Sequence, residues 1–354
     1  MTAKEKVQNI LKLLFIPLSF ITLFLYVYFT EGISNILNVF KTVNYRFFFY
    51  AILVNFLATP LDVISKHRLR KYYQKDVTYW DSLHTSMISL FWGKITPPFL
   101  SGAVFSDIYY MHKQGLAIAD GTTLFFARSI ISTISSMIMS IAMFCISFSY
   151  LKSYMTITLW IIFGVSFIIK ILGMVIYLIT PLFDKQIYAI GKILIHTGHK
   201  LHLIKHEDVS LDKTRKQITK LKINMQNLHF SFSDWALAIF INIIITILGF
   251  VGSWLTIKTL NVDLTYPFYL YYSTGVVADT ITSVISILPS GFGISEIVNF
   301  NIASPIVGVH SINFVLLFKR LIGYYPQLLV QLICVCIPLR KKATSSNQEY
   351  LSQL

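Results

Sequence analysis

The feature that most constrains this chain is a set of long apolar segments. Six of them have lengths near the roughly 20 residues that a helix needs to cross a bilayer. They cover residues 10–29, 47–64, 125–150, 157–179, 235–257 and 312–337. The fifth holds no charged residue, and at about 1.5 Å per residue it exceeds a hydrocarbon core of about 30 Å. The sequence therefore predicts an all-α polytopic membrane protein with about six full transmembrane helices.

The composition excludes the common soluble classes. Charged residues make up 13% of the chain and hydrophobic residues 55%, whereas soluble domains carry about 25% charged residues. The net charge of +14 would suggest nucleic acid in a soluble protein, but here it is typical of cytoplasmic loops and of contact with anionic headgroups. We therefore expect anionic membrane lipids as partners, and no nucleic acid.

Two further apolar stretches, residues 82–112 and 267–309, are broken in the middle. Proline removes a backbone donor and glycine weakens a helix, so each stretch is predicted to fold as two half-helices around a loop, a re-entrant hairpin. Irregular backbone at membrane depth must be buried in protein or line a polar cavity. The residues of the two breaks are Pro97, Pro98, Gly102, Pro289, Gly291 and Gly293.

The distribution of basic residues supports this interpretation. With both stretches as hairpins, 22 of the 30 Lys and Arg residues fall on one side and four on the other, and four lie within the apolar segments. The positive-inside rule then places both termini in the cytoplasm, and we expect a bacterial or archaeal cell membrane. If either stretch crossed the membrane once, all later loops would change sides, and the basic residues would no longer be concentrated on one side.

The same topology makes the two hairpins enter from opposite sides, each with an acidic residue soon after its break. They are therefore candidates for inverted repeats, although chance similarity stays an alternative. The domain prediction is one transmembrane domain, 1–340, and a cytoplasmic tail, 341–354. Its halves, 1–180 and 235–340, are joined by a cytoplasmic amphipathic segment, 181–234.

That joining segment has a helical pattern of its own. Apolar residues recur at heptad-like spacing from Leu211 to Leu228, with basic residues between them. The pattern predicts a basic amphipathic helix that lies along the inner leaflet or on helix ends. A simple connector and a regulatory element both stay open.

Charged side chains inside apolar segments are the candidate functional residues, because a charge in a bilayer is costly. Lys94, Arg128 and Arg320 lie near predicted helix ends, where long side chains can reach the interface. For Lys170 we expect a structural ion pair with Asp62 or Asp279. The candidates are Asp62, Lys94, Asp107, Arg128, Lys170, Asp279, Glu296, Lys319 and Arg320.

Catalytic and metal-binding signatures are missing from the sequence. It contains no Gly-rich phosphate loop, nucleophile elbow or zincin helix, so we expect no enzyme activity, catalytic residue or cofactor. No carboxylate or cysteine completes a recognised metal spacing around four histidines, which we interpret as a solvated helix face rather than a metal site. These are His196, His199, His202 and His206.

Several motifs resemble the transmembrane region of lysylphosphatidylglycerol synthases, the flippase-like domain family. The most specific is Leu288-Pro-Ser-Gly-x-Gly-x-x-Glu296, and the likeness runs over about 10–340. The chain departs from the family in having Ser290-Gly291 where two glycines are frequent. We also expect it to act without the soluble aminoacyl-transfer domain that some relatives carry. The other matching motifs are Thr96-Pro-Pro-x-x-x-Gly102, Tyr109-Tyr110, Gly115, Arg128, Lys319-Arg320 and Tyr324-Tyr325-Pro326.

The resemblance implies a stand-alone flippase that moves an aminoacyl-phospholipid or a glycosylated lipid between leaflets. We expect Lys94, Arg128 and Arg320 near a phosphate, since guanidinium and ammonium groups bind phosphate oxygens. Carboxylates would bind a cationic group or a proton, and these are Asp107, Asp279 and Glu296.

Three alternatives stay open. The first is a membrane-embedded enzyme of lipid or polyprenyl-sugar metabolism. The second is an ion or small-solute transporter. The third is a scaffold that presents lipid to a partner synthase. Besides a phospholipid or glycolipid substrate, the expected partners include that synthase and a second copy of the chain.

Overall fold

A computed structural model describes residues 27–96, 102–200, 207–226, 230–285 and 293–339, with residues 21, 25 and 291. Within these ranges the chain forms helices and no strand. The protein is an all-α polytopic membrane protein, as the apolar segments predict.

The helices are numbered here in chain order. A short 3-10 turn, Thr180–Phe183, joins α6 to α7. They are α1 (Ile33–Thr42), α2 (Tyr45–Arg70), α3 (Tyr79–Ile95), α4 (Gly102–Lys113), α5 (Ile118–Tyr154), α6 (Ile157–Ile179), α7 (Asp184–Lys200), α8 (Glu207–Gln226), α9 (Phe232–Leu260), α10 (Phe268–Ile285), α11 (Ile294–Val307), α12 (Val309–Gly323) and α13 (Tyr325–Cys336).

Four helices of the described part are long and apolar enough to cross a membrane, namely α2, α5, α6 and α9. They confirm the helices predicted for the second to fifth apolar segments. Most of the first predicted segment, 10–29, lies outside the described residues.

The sixth predicted segment, 312–337, is divided into α12 and α13 at Tyr324. Pro326 lies in the first turn of α13. Its ring removes one backbone donor and crowds the carbonyl four residues earlier, so a straight helix cannot pass through this point. The break places Lys319 and Arg320 in the last turns of α12, beside the kink.

Short local signals set the limits of two helices that frame the interior. At the start of α3 the Thr78 hydroxyl accepts from the backbone of Asp81, and the Asp81 carboxylate accepts in return. Ser231 and Asp234 form the same capping box at the start of α9. Each box satisfies backbone donors that the first turn leaves unpaired. Asn261 ends α9 in the left-handed conformation, with φ 50°.

Helices α2 and α9 pack against each other in antiparallel directions along their length. At one end the backbone N–H of Asn44 donates to the carbonyl of Thr259 over 2.9 Å. At the other end the carboxylate of Asp234 binds Arg68 and the hydroxyl of Tyr72. The pair forms the central frame on which the other helices are arranged.

Each broken stretch forms two antiparallel helices. Hairpin 1 consists of α3 and α4, and hairpin 2 of α10 and α11. Hairpin 1 follows the end of α2, and hairpin 2 follows the end of α9. Because α2 and α9 are antiparallel, the two hairpins approach the middle from opposite ends. The loops at their tips, 97–101 and 286–290, lie outside the described residues, and their re-entrant character in a bilayer stays a prediction.

Gly102 is required by the close approach of the two helices in hairpin 1. A Cβ atom at this position would lie 2.1 Å from Oγ1 of Thr96. Farther along, the Ser89 hydroxyl donates to the carbonyl of Ala103 over 2.8 Å. A larger residue at position 102 would therefore force the Thr96 side chain, or the backbone of α4, to move.

The joining segment contains α7 and α8, and α8 contacts the N-terminal end of α5. The Asp120 carboxylate accepts from Lys220 over 3.0 Å and from Asn224 over 2.7 Å. Leu221 and Met225 are buried against Ala119. The amphipathic helix is confirmed, and its apolar stripe packs on a helix end, which is one of the two placements that the pattern predicts.

Candidate functional site

A cavity of about 570 Å³ lies among α9, α10, α11 and α12, and α2, α3 and α13 contribute one lining residue each, Asn55, Lys94 and Gln327. We call it the central cavity. Hairpin 1 contributes Lys94 from the last turn of α3, and hairpin 2 contributes Glu296 from the first turn of α11. The lining includes six of the candidates named from the sequence, which are Lys94, Asp279, Gly291, Glu296, Lys319 and Arg320.

Glu296 and Arg320 form a hydrogen-bonded ion pair in the wall of the central cavity. Oε1 of Glu296 accepts from Nε and from Nη2 of Arg320, each over 2.8 Å. Oε2 accepts from the backbone N–H of Gly293 over 2.8 Å. The carboxylate thereby caps the N-terminus of α11, where the helix dipole favours negative charge.

The two glycines before Glu296 allow this arrangement. Gly291 has φ 71° and Gly293 has φ 81°. Residues with a Cβ atom rarely adopt such angles, whereas glycine does so readily. The glycine spacing in the sequence motif therefore corresponds to a turn that aims the Gly293 N–H at the Glu296 carboxylate.

Tyr324 lies between two cations of the central cavity. Nζ of Lys94 is 5.4 Å and Cζ of Arg320 is 5.5 Å from the centre of its ring. Its hydroxyl donates to the carbonyl of Lys94 over 3.3 Å. Cations within about 6 Å of an aromatic face are attracted to it. The ring therefore holds Lys94 and Arg320 in place while leaving them with positive charge.

Lys319 and Asp279 form a looser pair at the same cavity. Nζ of Lys319 lies 3.7 Å from Oδ1 of Asp279, and the side chains are 45% and 59% exposed. This separation is longer than a hydrogen bond. The two charges are therefore not hydrogen-bonded to each other, and both side chains are accessible from the cavity.

The neutral side chains of Gln327 and Asn55 also line the cavity, and neither was a candidate site residue from the sequence. Gln327 accepts from Nζ of Lys94 over 2.9 Å and donates to the carbonyl of Asn55 over 2.9 Å. Gly252 leaves room for Asn55 between α2 and α9, because a Cβ atom at position 252 would lie only 3.1 Å from Nδ2 of Asn55. In the sequence, Asn55 could have been identified as an amide within an apolar segment. The Tyr-Tyr-Pro motif could have indicated the kink beside Gln327.

Asp107 and Arg128, expected near a cationic group and near a phosphate, do not line the central cavity, whereas the other candidates for these two roles do. Arg128 donates to Asp62 over 2.5 Å, and both line a second cavity of about 400 Å³. Asp107 is paired with Lys66. Both candidates are instead held by charges on α2, which carries Asp62 and Lys66 one turn apart.

Lys66 and Arg70 are buried charges that lie beyond residue 64, the predicted end of the second apolar segment. Helix α2 continues past the predicted end at residue 64 as far as Arg70. Lys66 is 1% exposed and Arg70 is 0% exposed, counting the whole residue. Nη2 of Arg70 donates to Gln74 over 2.8 Å and to Gln114 over 2.9 Å. The signal that could have identified them is the i, i+4, i+8 spacing with Asp62, which puts all three on one helix face.

Lys170 does not form the predicted ion pair with Asp62 or Asp279. Its Nζ donates to the hydroxyl of Ser136 over 3.0 Å. The two carboxylates are instead engaged by Arg128 and Lys319.

Other candidates fall outside this site or outside the described residues. Pro97, Pro98 and Pro289 are not among the described residues, and neither are His202 and His206. Nδ1 of His196 lies 3.1 Å from Oε1 of Glu207. Within the described ranges, no group of three or more His, Cys, Asp or Glu side chains could hold a metal ion.

Comparison with known families finds one family whose model covers most of the chain. The model of the lysylphosphatidylglycerol synthase TM region matches residues 9–330, more than nine-tenths of the chain. This chain belongs to that family. Comparison with curated proteins and with solved structures finds no match in either. Membership in the lysylphosphatidylglycerol synthase TM family supports a lipid-related role in the membrane and names no particular lipid.

Proposed function

We propose that this protein is a lipid flippase that moves a polar-headgroup lipid, an aminoacyl-phospholipid or a glycosylated lipid, between leaflets. The observation that carries the proposal is the central cavity, in which Lys94 of hairpin 1, Asp279 and Glu296 of hairpin 2, and Lys319 and Arg320 of α12 bring cations and carboxylates together. Membership in a lipid-related membrane family supports the same function.

The physical problem in lipid translocation is the cost of taking a charged headgroup through hydrocarbon. Lys94, Lys319 and Arg320 can bind phosphate oxygens with charge-assisted hydrogen bonds. Asp279 and Glu296 can bind an ammonium group. A wall with both signs replaces the water that the headgroup loses, while the acyl chains stay in the bilayer.

The proposal involves no bond-making step, so the protein would be a transporter and not an enzyme. It includes both termini in the cytoplasm of a bacterial or archaeal cell membrane, as the positive-inside rule indicates. The looser Lys319–Asp279 pair would open to the headgroup first, and the Glu296–Arg320 pair would remain as the fixed part of the wall.

Reconstitution tests the proposal directly. Purified protein is placed in vesicles with a fluorescent lipid, and a membrane-impermeant quencher reports how fast inner-leaflet label reaches the outer leaflet. We expect protein-dependent movement that is slowed severalfold in Glu296→Gln. An amide can still accept from Gly293, so this variant removes the charge and largely keeps the helix cap.

The matched control is Asp212→Asn on α8. Asp212 pairs with Lys216 at the surface, where both side chains are more than half exposed, and such pairs contribute little. The control should move lipid at the wild-type rate. Transbilayer rates equal to those of protein-free vesicles, over a broad set of phospholipids and glycolipids, would contradict the proposal.

A further inference from the structure

The ionisable lining of the central cavity has an excess of positive charge. It comprises three cations, Lys94, Lys319 and Arg320, and two carboxylates, Asp279 and Glu296, a net charge of +1. Glu296 already accepts from two nitrogens of Arg320 and from Gly293. The more accessible carboxylate is Asp279, which is 59% exposed.

Three neutral hydroxyl groups of the lining present hydrogen-bond acceptors to the cavity. The hydroxyl proton of Thr256 is donated to the carbonyl of Gly252 over 2.9 Å, and that of Thr282 to Ala278 over 2.9 Å. The Tyr272 hydroxyl donates to the carbonyl of Thr246 over 2.7 Å. Since a hydroxyl has one proton and two lone pairs, these oxygens are left as acceptors at the cavity wall.

A ligand that complements this wall carries negative charge together with O–H donors. The cations bind a phosphodiester, and the acceptor oxygens bind hydroxyls of a glycerol or sugar. An ammonium group could also donate to these oxygens, but the three cations of the lining outnumber its two carboxylates. Because like charges repel and opposite charges attract, the net charge of +1 favours an anionic headgroup over a cationic one.

Resting on the proposed function, we infer that the transported headgroup is an anionic phosphodiester that bears hydroxyl groups. A lysylated headgroup has one phosphate and two ammonium groups, hence a net positive charge, and is disfavoured at this cavity. The shared chemistry of phosphodiester and hydroxyls occurs in glycerophospholipids such as phosphatidylglycerol and in polyprenyl glycosyl phosphates.

The experiment compares three fluorescent lipids in the same vesicle assay with the full chain. The probes are phosphatidylglycerol, a polyprenyl phosphate carrying one hexose, and lysylphosphatidylglycerol. We expect at least one of the first two to move roughly tenfold faster than the third, which corresponds to about 1.4 kcal/mol. The two anionic arms distinguish a glycerophospholipid from a polyprenyl-linked source.

Two variants change the net charge of the cavity in opposite directions. Lys319→Gln should lower the ratio of anionic to cationic lipid rates severalfold, and Asp279→Asn should raise it. Using a ratio separates an electrostatic role from a loss of stability, which would slow both lipids alike.

The outcomes are distinguishable. Movement of lysylphosphatidylglycerol at a rate equal to or above both anionic lipids overturns the inference and leaves the flippase function standing. Rate ratios unchanged in both variants also overturn it. If the protein accelerates none of the three lipids nor any other polar-headgroup lipid, the proposed function fails as well.

Discussion

Lys66 of α2 and Asp107 of α4 form a buried ion pair between residues 41 positions apart in the sequence. Their side chains are 2% and 9% exposed, and Nζ of Lys66 also donates to the Ser86 hydroxyl over 2.9 Å. The pair joins both helices of hairpin 1 to α2. The position of hairpin 1, and with it the position of Lys94, therefore depends on this contact.

Removing one partner of this pair should destabilise the protein more than removing both. In Asp107→Leu the ammonium of Lys66 stays buried without its carboxylate, and we expect a loss of about 3–5 kcal/mol in unfolding free energy. The double variant Lys66→Met with Asp107→Leu should recover most of it. Denaturation in detergent micelles measures both. A single variant as stable as wild type, or a double variant worse than the single, would contradict this account.

Alanine at position 102 should disturb the tip of hairpin 1. Its Cβ would lie 2.1 Å from Oγ1 of Thr96, and overpacking of this kind costs about 1–3 kcal/mol. Gly102→Ala should therefore lower the melting temperature. The matched control is Gly164→Ala in α6, where nothing lies within 4 Å of the added Cβ and alanine favours the helix. Similar melting temperatures for the two variants would refute the steric explanation.

The ring of Tyr324 should matter more than its hydroxyl. Tyr324→Phe keeps the aromatic face between Lys94 and Arg320 and loses one long hydrogen bond to the carbonyl of Lys94. Tyr324→Leu removes the face, and each cation–π contact contributes about 0.5–2 kcal/mol. We expect a severalfold lower lipid-movement rate for the leucine variant and less than about a twofold change for phenylalanine. The opposite order would show that the hydroxyl is the important group.

Asp120 should control how firmly α8 is held on α5. Asp120→Ala removes the acceptor for Lys220 and Asn224, a local loss of about 1–2 kcal/mol after solvent screening. Hydrogen–deuterium exchange should accelerate in 207–226 while the rest of the chain is unchanged. Asp212→Ala, at an exposed pair on the same helix, provides the control and should leave exchange as in wild type. Equal protection in the two variants would mean that apolar contacts alone hold α8.

Much of the fold follows from local patterns. Four predicted crossings became helices, because about 20 apolar residues have no alternative in hydrocarbon that satisfies their backbone groups. The two hairpins were predictable because proline and glycine disrupt a helix within one or two residues of their own position. The sequence did not predict the kink at Tyr324. Pro326 is a signal for it, but the apolar segment continues on both sides of this proline.

The site was only partly predictable. The sequence identified Glu296 and Arg320 as candidates, but their pairing across 24 positions depends on the packing of α11 against α12. The grouping of Lys94 with them, and the separation of Arg128 and Asp107 from them, depends on contacts with residues far away in the chain.

The sequence by itself determined that this chain spans a membrane as helices, where the two apolar stretches with Pro and Gly break, and which charged side chains within apolar segments are candidates for a function. Only the tertiary structure decided which of those charges meet. Periodicity and hydrophobicity report the relation of a residue to its neighbours within a few turns. The division into a central cavity and a cluster on α2 depends instead on contacts between distant helices. The packing of α3 on α13 places Lys94 beside Gln327, 233 positions later, and ion pairs with α2 hold Asp107 and Arg128 away from the cavity.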